Sequence, residues 1–159
     1  MTSGGNDRTG TAFRGTPLCP GVAVGPPLCL EEPLSFWGGV DAQGRVVDVH
    51  HPQHGAGLAG AVLVMRSGRG SSSSAAVLAE QIRAGAAPAA IVLAEADSIL
   101  VAGTLVAAEL YDVQVPVLTL TPRVYDRLAA AAASPRASAL TARVDVDDRS
   151  ATVTLGGAR

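Results

Sequence analysis

Residues 61–93 read AVLVMRSGRGSSSSAAVLAEQIRAGAAPAAIVL, and this stretch decides the fold. It opens on Ala61-Val62-Leu63-Val64-Met65, a continuous apolar run of strand length, and closes on another, Ala89-Ala90-Ile91-Val92-Leu93. A strand that is apolar on both sides of its pleat is covered on both faces, so each run predicts a buried strand. Between them, a glycine- and serine-rich segment from Arg66 to Ser74 gives way to a helical pattern carried by Val77, Leu78 and Gln81-Ile82 up to Gly85. Strand, glycine loop, helix, strand is a βαβ unit, which implies a parallel pair with a right-handed crossover.

Toward the C-terminus the pattern predicts a helix from about Ser98 to Leu110 and, after Val115-Pro116, a strand over Val117-Leu118-Thr119-Leu120. Thr121-Pro122 supplies an N-cap and a proline at the first helical position for a helix running to about Ala133. Ser138 to Val146 and Ala151 to Leu155 flank Asp147-Asp148-Arg149-Ser150 as a hairpin. Toward the N-terminus, Val46-Val47-Asp48-Val49-His50 alternates like a half-exposed strand. Gly15 to Pro33 is punctuated by Gly and Pro, with apolar pieces at Val22-Ala23-Val24 and Leu28-Cys29-Leu30 that predict short strands joined by tight turns. Residues 1–11 are expected to be a disordered tail. The sum is one layered α/β domain over residues 12–159, with a partly parallel sheet and an irregular β-rich N-terminal half.

Composition narrows the function classes. The 159 residues are 48% hydrophobic and 16% charged, which excludes a disordered chain and leans toward a buried subunit face. A net charge of −2 gives no footprint for nucleic acid or an anionic membrane. All 12 basic residues are arginine, so Schiff-base chemistry and a P-loop lysine are excluded. Cys19 and Cys29 stand apart with no Cys/His cluster around them, indicating neither a zinc site nor a disulfide framework and fitting a reducing cytoplasm. The first 15 residues hold no apolar leader core, and the apolar stretch 86–120 is broken by Glu95, Asp97, Glu109 and Asp112, so a soluble, cytoplasmic protein is expected.

Three segments hold residues suited to chemistry. Gly68-Arg69-Gly70-Ser71 lies between a buried strand and a helix, where glycines admit a ligand to the backbone and the helix start offers N–H donors. It has neither Walker nor GxGxxG spacing, and a plain turn with Ser71 or Ser72 as N-cap fits it as well. Glu32-Pro33-Leu34-Ser35-Phe36-Trp37-Gly38-Gly39-Val40-Asp41 carries the single tryptophan in a loop that is neither regular strand nor helix, placed to plug the core or line a cleft. His50, His51 and His54 are the three histidines; adjacent residues of a strand face opposite ways and no carboxylate completes a ligand set, so a surface or cleft-rim role is expected.

Together these segments, with Ser74, His51-Pro52, Ala87-Pro88-Ala89-Ala90-Ile91 and Val115-Pro116-Val117, resemble the small subunit, or swivelling domain, of the aconitase X family, from about Gly15 to Leu120. The resemblance implies a swivelling β/β/α domain that closes over a large subunit, with an iron or iron–sulfur centre held by that subunit's own cysteines and no metal bound by this chain alone. It implies a hydro-lyase, a dehydratase of cis-3-hydroxy-L-proline or of mevalonate 5-phosphate, active only as a heterodimer. It implies that Ser71 is the proton acceptor, supported at the substrate or oxyanion by Gly68, Arg69, Gly70, Ser72, Ser35, Phe36, Trp37, Gly38, Gly39, Asp41 and His51. Iron would polarise the departing hydroxyl, and Arg69 would either sustain an alkoxide at Ser71 or grip the substrate carboxylate. With no basic cluster for a phosphate, the small hydroxy acid cis-3-hydroxy-L-proline, dehydrated to 1-pyrroline-2-carboxylate, is the expected substrate. A phosphohistidine-carrying domain is the alternative from another class, with one of the three histidines as carrier.

Overall fold

The computed structural model describes residues 10–157. The expected tail lies outside the described residues except for Gly10 and Thr11, and Thr11 already opens the first strand. The elements run β1 (Thr11–Cys19), β2 (Gly21–Gly25), β3 (Pro27–Cys29), a single turn α1 (Phe36–Gly39), β4 (Val62–Met65), α2 (Ser73–Arg83), β5 (Ala90–Leu93), α3 (Ser98–Tyr111), β6 (Val117–Thr119), α4 (Pro122–Ala132), β7 (Leu140–Val146) and β8 (Ala151–Gly157).

All eight strands share one sheet in the order β2-β7-β8-β1-β6-β5-β4-β3. The β3-β4-β5-β6 half is parallel, as the apolar runs predict, and the other strands pair antiparallel. β1 joins the halves: Gly15 pairs with Ala151 of β8, and the next residue, Thr16, pairs with Thr119 of β6. A Cβ on Gly15 would overlap the Thr119 carbonyl and lie 2.8 Å from Leu120 Cδ2, so the chain passes this junction only as glycine.

The pleat divides the core in two. Leu63, Met65, Ile91 and Leu93 point to one face of the parallel half, where they meet Leu78 and Ile82 of α2 and Leu100 and Ala107 of α3. Val62, Val64, Ala90 and Val92 point to the other, against Ala142 and Val144 of β7, Val153 of β8 and Leu128 of α4. The antiparallel half therefore lies over the parallel half, and α2 and α3 cover the opposite side, giving β/β/α layers. Each of these fully buried Leu, Ile, Val and Met side chains contributes about 1.5–3 kcal/mol by leaving water.

Three local expectations are corrected. The segment Gly15–Pro33 begins inside a nine-residue strand, because β1 tolerates Gly15 and Pro17 at the position where it changes partner, with a register shift between Pro17 and Cys19. Val46–His50 is no strand: isolated bridges join Val40 to Val46 and Arg45 to Gly57, Val46 is buried, and Val47 and Val49 face solvent. Thr121 does precede α4, but its side chain makes no capping hydrogen bond. No helix among the described residues is long and apolar enough to cross a membrane.

Candidate functional site

At the C-terminal end of β4 the chain enters the Gly68–Ser71 loop, and a second segment lies beside it. Beyond the β3–β4 ladder, Leu34 bridges to Gly68 in parallel fashion and Arg69 N–H donates to the Leu34 carbonyl at 3.2 Å. The two loops singled out in the sequence are thus neighbours. Gly70 has φ +109°, and a Cβ there would overlap Ser35 Oγ and lie 3.1 Å from Ser35 Cβ and 3.4 Å from Ser74 Oγ. Gly68 abuts Asp97 and Leu100 at the start of α3, with Leu100 Cδ1 3.1 Å from where its Cβ would sit. Both glycines are therefore packing requirements as well as turns.

Ser35 Oγ donates to the Trp37 carbonyl at 2.8 Å, and Trp37 N–H donates to Ser74 Oγ at 3.3 Å. Trp37 and Gly38 leave helical geometry within α1, with Gly38 at φ +80°, so the segment is the irregular loop its glycines predict. The two aromatics divide the plug and cleft roles between them. Phe36 is fully buried among the residues below α2, whereas Trp37 is 61% exposed, which corrects any reading of Trp37 as a core plug. Gly39 is buried behind it against Leu34.

Ser71 and Ser72 are exposed where α2 begins. Their carbonyls accept from the N–H groups of Ser74 and Ala75, and Ser72, the N-cap residue, makes no side-chain cap bond. Ser72 therefore does not cap the helix with its side chain, and the first amides of α2 carry the partial positive charge of any helix start.

Arg69 is held by Asp48, Nη2 to Oδ2 3.1 Å, while Asp48 Oδ1 accepts from His50 N–H at 2.9 Å. That His50 bond, assisted by the Arg69 guanidinium, holds the Asp48 carboxyl below the usual carboxylate range. The loop's other arginine, Arg66, pairs with Asp126 and stacks 5.1 Å from the Tyr125 ring centre.

His51 and Asp41 act behind this rim. His51 is buried, which corrects its expected surface position: Nδ1 accepts from Gln53 N–H, so Nε2 carries the proton and donates to the Glu32 carbonyl, both at 3.0 Å. It straps the 48–54 loop to the residues leading into Ser35–Trp37, a role that adjacency to His50 conceals in the sequence. Asp41 Oδ1 accepts from the N–H groups of Gln43 and Arg45, and its carbonyl accepts from Gln81 Nε2 at 3.1 Å. Among the described residues the buried Gln81 Oε1 has no hydrogen-bond partner; Gln81 lines a mostly apolar groove of about 450 Å³ with Val40, Asp41, Ala76, Val77, Glu80 and Ala84.

Three contributors carried no assigned role in the sequence: Ser74, which anchors Trp37; Asp48, which holds Arg69; and Asp97, whose Oδ1 caps α3 through Ile99 and Leu100 N–H. Only Asp97 leaves a local signal, an acidic N-cap type before a helical run. Among the described residues no three His, Cys, Asp or Glu side chains are grouped to hold a metal ion. Cys19 Sγ lies 3.0 Å from Thr104 Oγ1, and burial pushes the thiols of Cys19 and Cys29 up, away from the ligating thiolate. These donors do not fit an iron site.

Comparisons with known proteins converge on one family. Residues 12–155 match the family described as the aconitase X swivel domain. The chain is 40% identical over 120 residues to the cis-3-hydroxy-L-proline dehydratase of Hypocrea jecorina, covering 75% of this chain and 20% of that protein. It is 42% identical over 88 residues to the phosphomevalonate dehydratase small subunit of Methanothermobacter thermautotrophicus, covering 55% of this chain and 67% of that one. The crystal structure of Thermococcus kodakaraensis aconitase X in its holo form superimposes with a TM-score of 0.73 at 26% identity, over 92% of this chain and 98% of that chain. The chain spans about a fifth of the length of the hydroxyproline dehydratase it matches.

Proposed function

The chain belongs to the aconitase X swivel-domain family, and from that premise we propose that it is the small, swivelling component of a hydro-lyase that dehydrates cis-3-hydroxy-L-proline, with Ser71 as proton acceptor. One observation carries the reading: Ser71 is exposed at the start of a helix whose N-cap residue Ser72 makes no side-chain bond, directly after Gly70, which packs on Ser35. A serine hydroxyl is a weak base in water, and the positive end of α2 favours the anion that a base requires. Ser71 Oγ takes the proton from the carbon bearing the carboxylate. The released electron pair forms the double bond as hydroxide leaves the neighbouring carbon, and the resulting enamine tautomerises to 1-pyrroline-2-carboxylate. Arg69, half exposed and bound to a single carboxylate oxygen, turns its free guanidinium nitrogens to the substrate carboxylate.

Iron or an iron–sulfur cluster is assigned to the larger partner, as the family resemblance implies; among the described residues no three His, Cys, Asp or Glu side chains are grouped to hold it. When bound there, that group would supply the Lewis acidity that assists departure of the hydroxide. The hydroxyproline substrate is favoured over mevalonate 5-phosphate because the sequence holds no lysine and no cluster of basic residues dedicated to a phosphate.

Ser71→Ala tests the assignment in the assembled enzyme. Loss of a positioned base lowers turnover about 10²–10⁴-fold and abolishes exchange of the substrate's α-proton with deuterium from solvent. The variant should assemble and melt within a few degrees of the parent, since Ser71 is exposed and is not the N-cap residue of α2. Retention of more than about a tenth of the parent rate places the base elsewhere. Offering mevalonate 5-phosphate to the same preparation separates the two substrates.

A further inference from the structure

Among the described residues, one ion pair is built differently from the others. Arg83 and Glu80 share a helix, Arg143 and Asp145 share a strand, and Arg66 and Asp126 are both at least half exposed. In the Arg69–Asp48 pair the carboxylate side chain is only 25% exposed, and both partners are tied to one short segment, residues 31–34. Arg69 is tied through Leu34, whose carbonyl accepts its N–H at 3.2 Å. Asp48 is tied through the loop it opens. Its carbonyl accepts His51 N–H at 3.1 Å, and His51 Nε2 donates to the Glu32 carbonyl at 3.0 Å. Two residues on, Gln53 accepts from Glu31 N–H at 3.0 Å and donates to the Glu31 carboxylate at 3.1 Å. The second oxygen of Asp48, Oδ1, accepts from His50 N–H. The ion pair therefore closes a ring of contacts instead of joining two loose side chains. Its carboxyl, held below the usual range by His50 N–H and then by Arg69, stays charged at neutral pH.

We infer that Asp48 is a positioning residue, which fixes the Arg69 guanidinium on the loop leading to Ser71 so that it meets the substrate's carboxylate already ordered. The inference deepens the role given to Arg69 above and rests on it. An arginine side chain free in solvent loses rotamer freedom when it grips a ligand, and that loss weakens binding. Asp48 removes the freedom in advance, from a carboxylate whose own place is set by backbone contacts. A guanidinium carries five N–H donors. The Asp48 contact engages one on Nη2, and among the described residues no other acceptor meets the Arg69 side chain. The donors that remain are enough for a two-point grip on a carboxylate. Asp48 acts through Arg69 and needs no contact with the substrate itself.

The test uses the assembled enzyme, this chain co-produced with the large dehydratase chain of the same genome, and reads KM and kcat for cis-3-hydroxy-L-proline. Asp48→Asn keeps an oxygen to accept His50 N–H but discards the charge that holds Arg69, so the turn survives while the guanidinium is released. KM should rise about 10- to 100-fold, as expected when a substrate-positioning group is displaced by about an ångström. Turnover should change less than about threefold, because the carboxylate is gripped before and during proton removal alike. Asp126→Asn, which frees Arg66 in the same way, should leave both constants at the parent's values. In an Arg69→Ala background Asp48→Asn should add nothing, since a residue acting through Arg69 has no effect once Arg69 is gone. An unchanged KM in Asp48→Asn, or an equal loss with and without Arg69, overturns the inference and leaves the dehydratase reading standing. An Arg69→Ala enzyme with the parent's KM overturns both the grip and its positioning, but not Ser71 as the base. A complex that dehydrates only mevalonate 5-phosphate overturns the hydroxyproline assignment alone, and the same cycle is then read on that substrate's carboxylate. A complex active on neither overturns the dehydratase reading and this inference together.

Discussion

Gly70→Ala probes the join between the two loops directly. The backbone at Gly70 has φ +109°, a conformation that costs a residue with a Cβ about 1–2 kcal/mol. The added methyl also overlaps Ser35 Oγ, and Ser35 cannot turn away without giving up its 2.8 Å bond to the Trp37 carbonyl, about 1 kcal/mol more. The sum is about 2–3 kcal/mol, or a drop of about 4–12 °C in melting temperature for a domain of this size. Thermal unfolding of Gly70→Ala, Ser35→Gly and the double variant forms a cycle. If the contact is real, removing the Ser35 side chain relieves the overlap, and the double variant is more stable than the sum of the single effects by about 1–2 kcal/mol. The backbone strain remains, so recovery is partial. Additive effects, or a Gly70→Ala protein that melts with the parent, would refute the packing of these loops.

Two further outcomes follow from neighbouring groups. Asp97→Ala removes both capping bonds of α3 and should cost about 1–2 kcal/mol in denaturant titration, with Asp97→Asn recovering most of it. Burial pushes the Tyr125 phenol up to about 12, so the folded chain holds this proton more tightly than the unfolded chain. The corresponding stability is complete below about pH 10, the range of a free phenol, and is lost as pH rises toward 12. The loss is on the order of 2 kcal/mol, and Tyr125→Phe should flatten the stability profile across that window.

The parallel half of the fold was legible because both faces of β4, β5 and β6 are covered, which writes uninterrupted apolar runs into the sequence. β1 was not, since its Gly15 and Pro17 are demanded by the change of partner and resemble turn residues. The alternation of Val46–His50 misled for the opposite reason: Val46 is buried by loop contacts, without a ladder to make the pattern a strand. At the site, the glycines of both loops announced a close backbone approach, yet which aromatic turned inward depended on tertiary packing. His51 likewise looked like surface because its two backbone partners, at Glu32 and Gln53, are recognisable only once the loops are folded.

The place of β1 in the sheet has a consequence for how the chain matures during synthesis. Both of its neighbours are made late: β6 ends at Thr119 and β8 at Gly157. At ribosomal rates of about 5–20 residues per second, the first strand waits on the order of ten seconds for its second edge to be covered. Through that interval its open N–H and C=O groups are a template for any extended segment nearby. Entry of the final strand is therefore the event that closes the sheet, and the yield of folded protein should depend on what shelters residues 11–19 until it arrives.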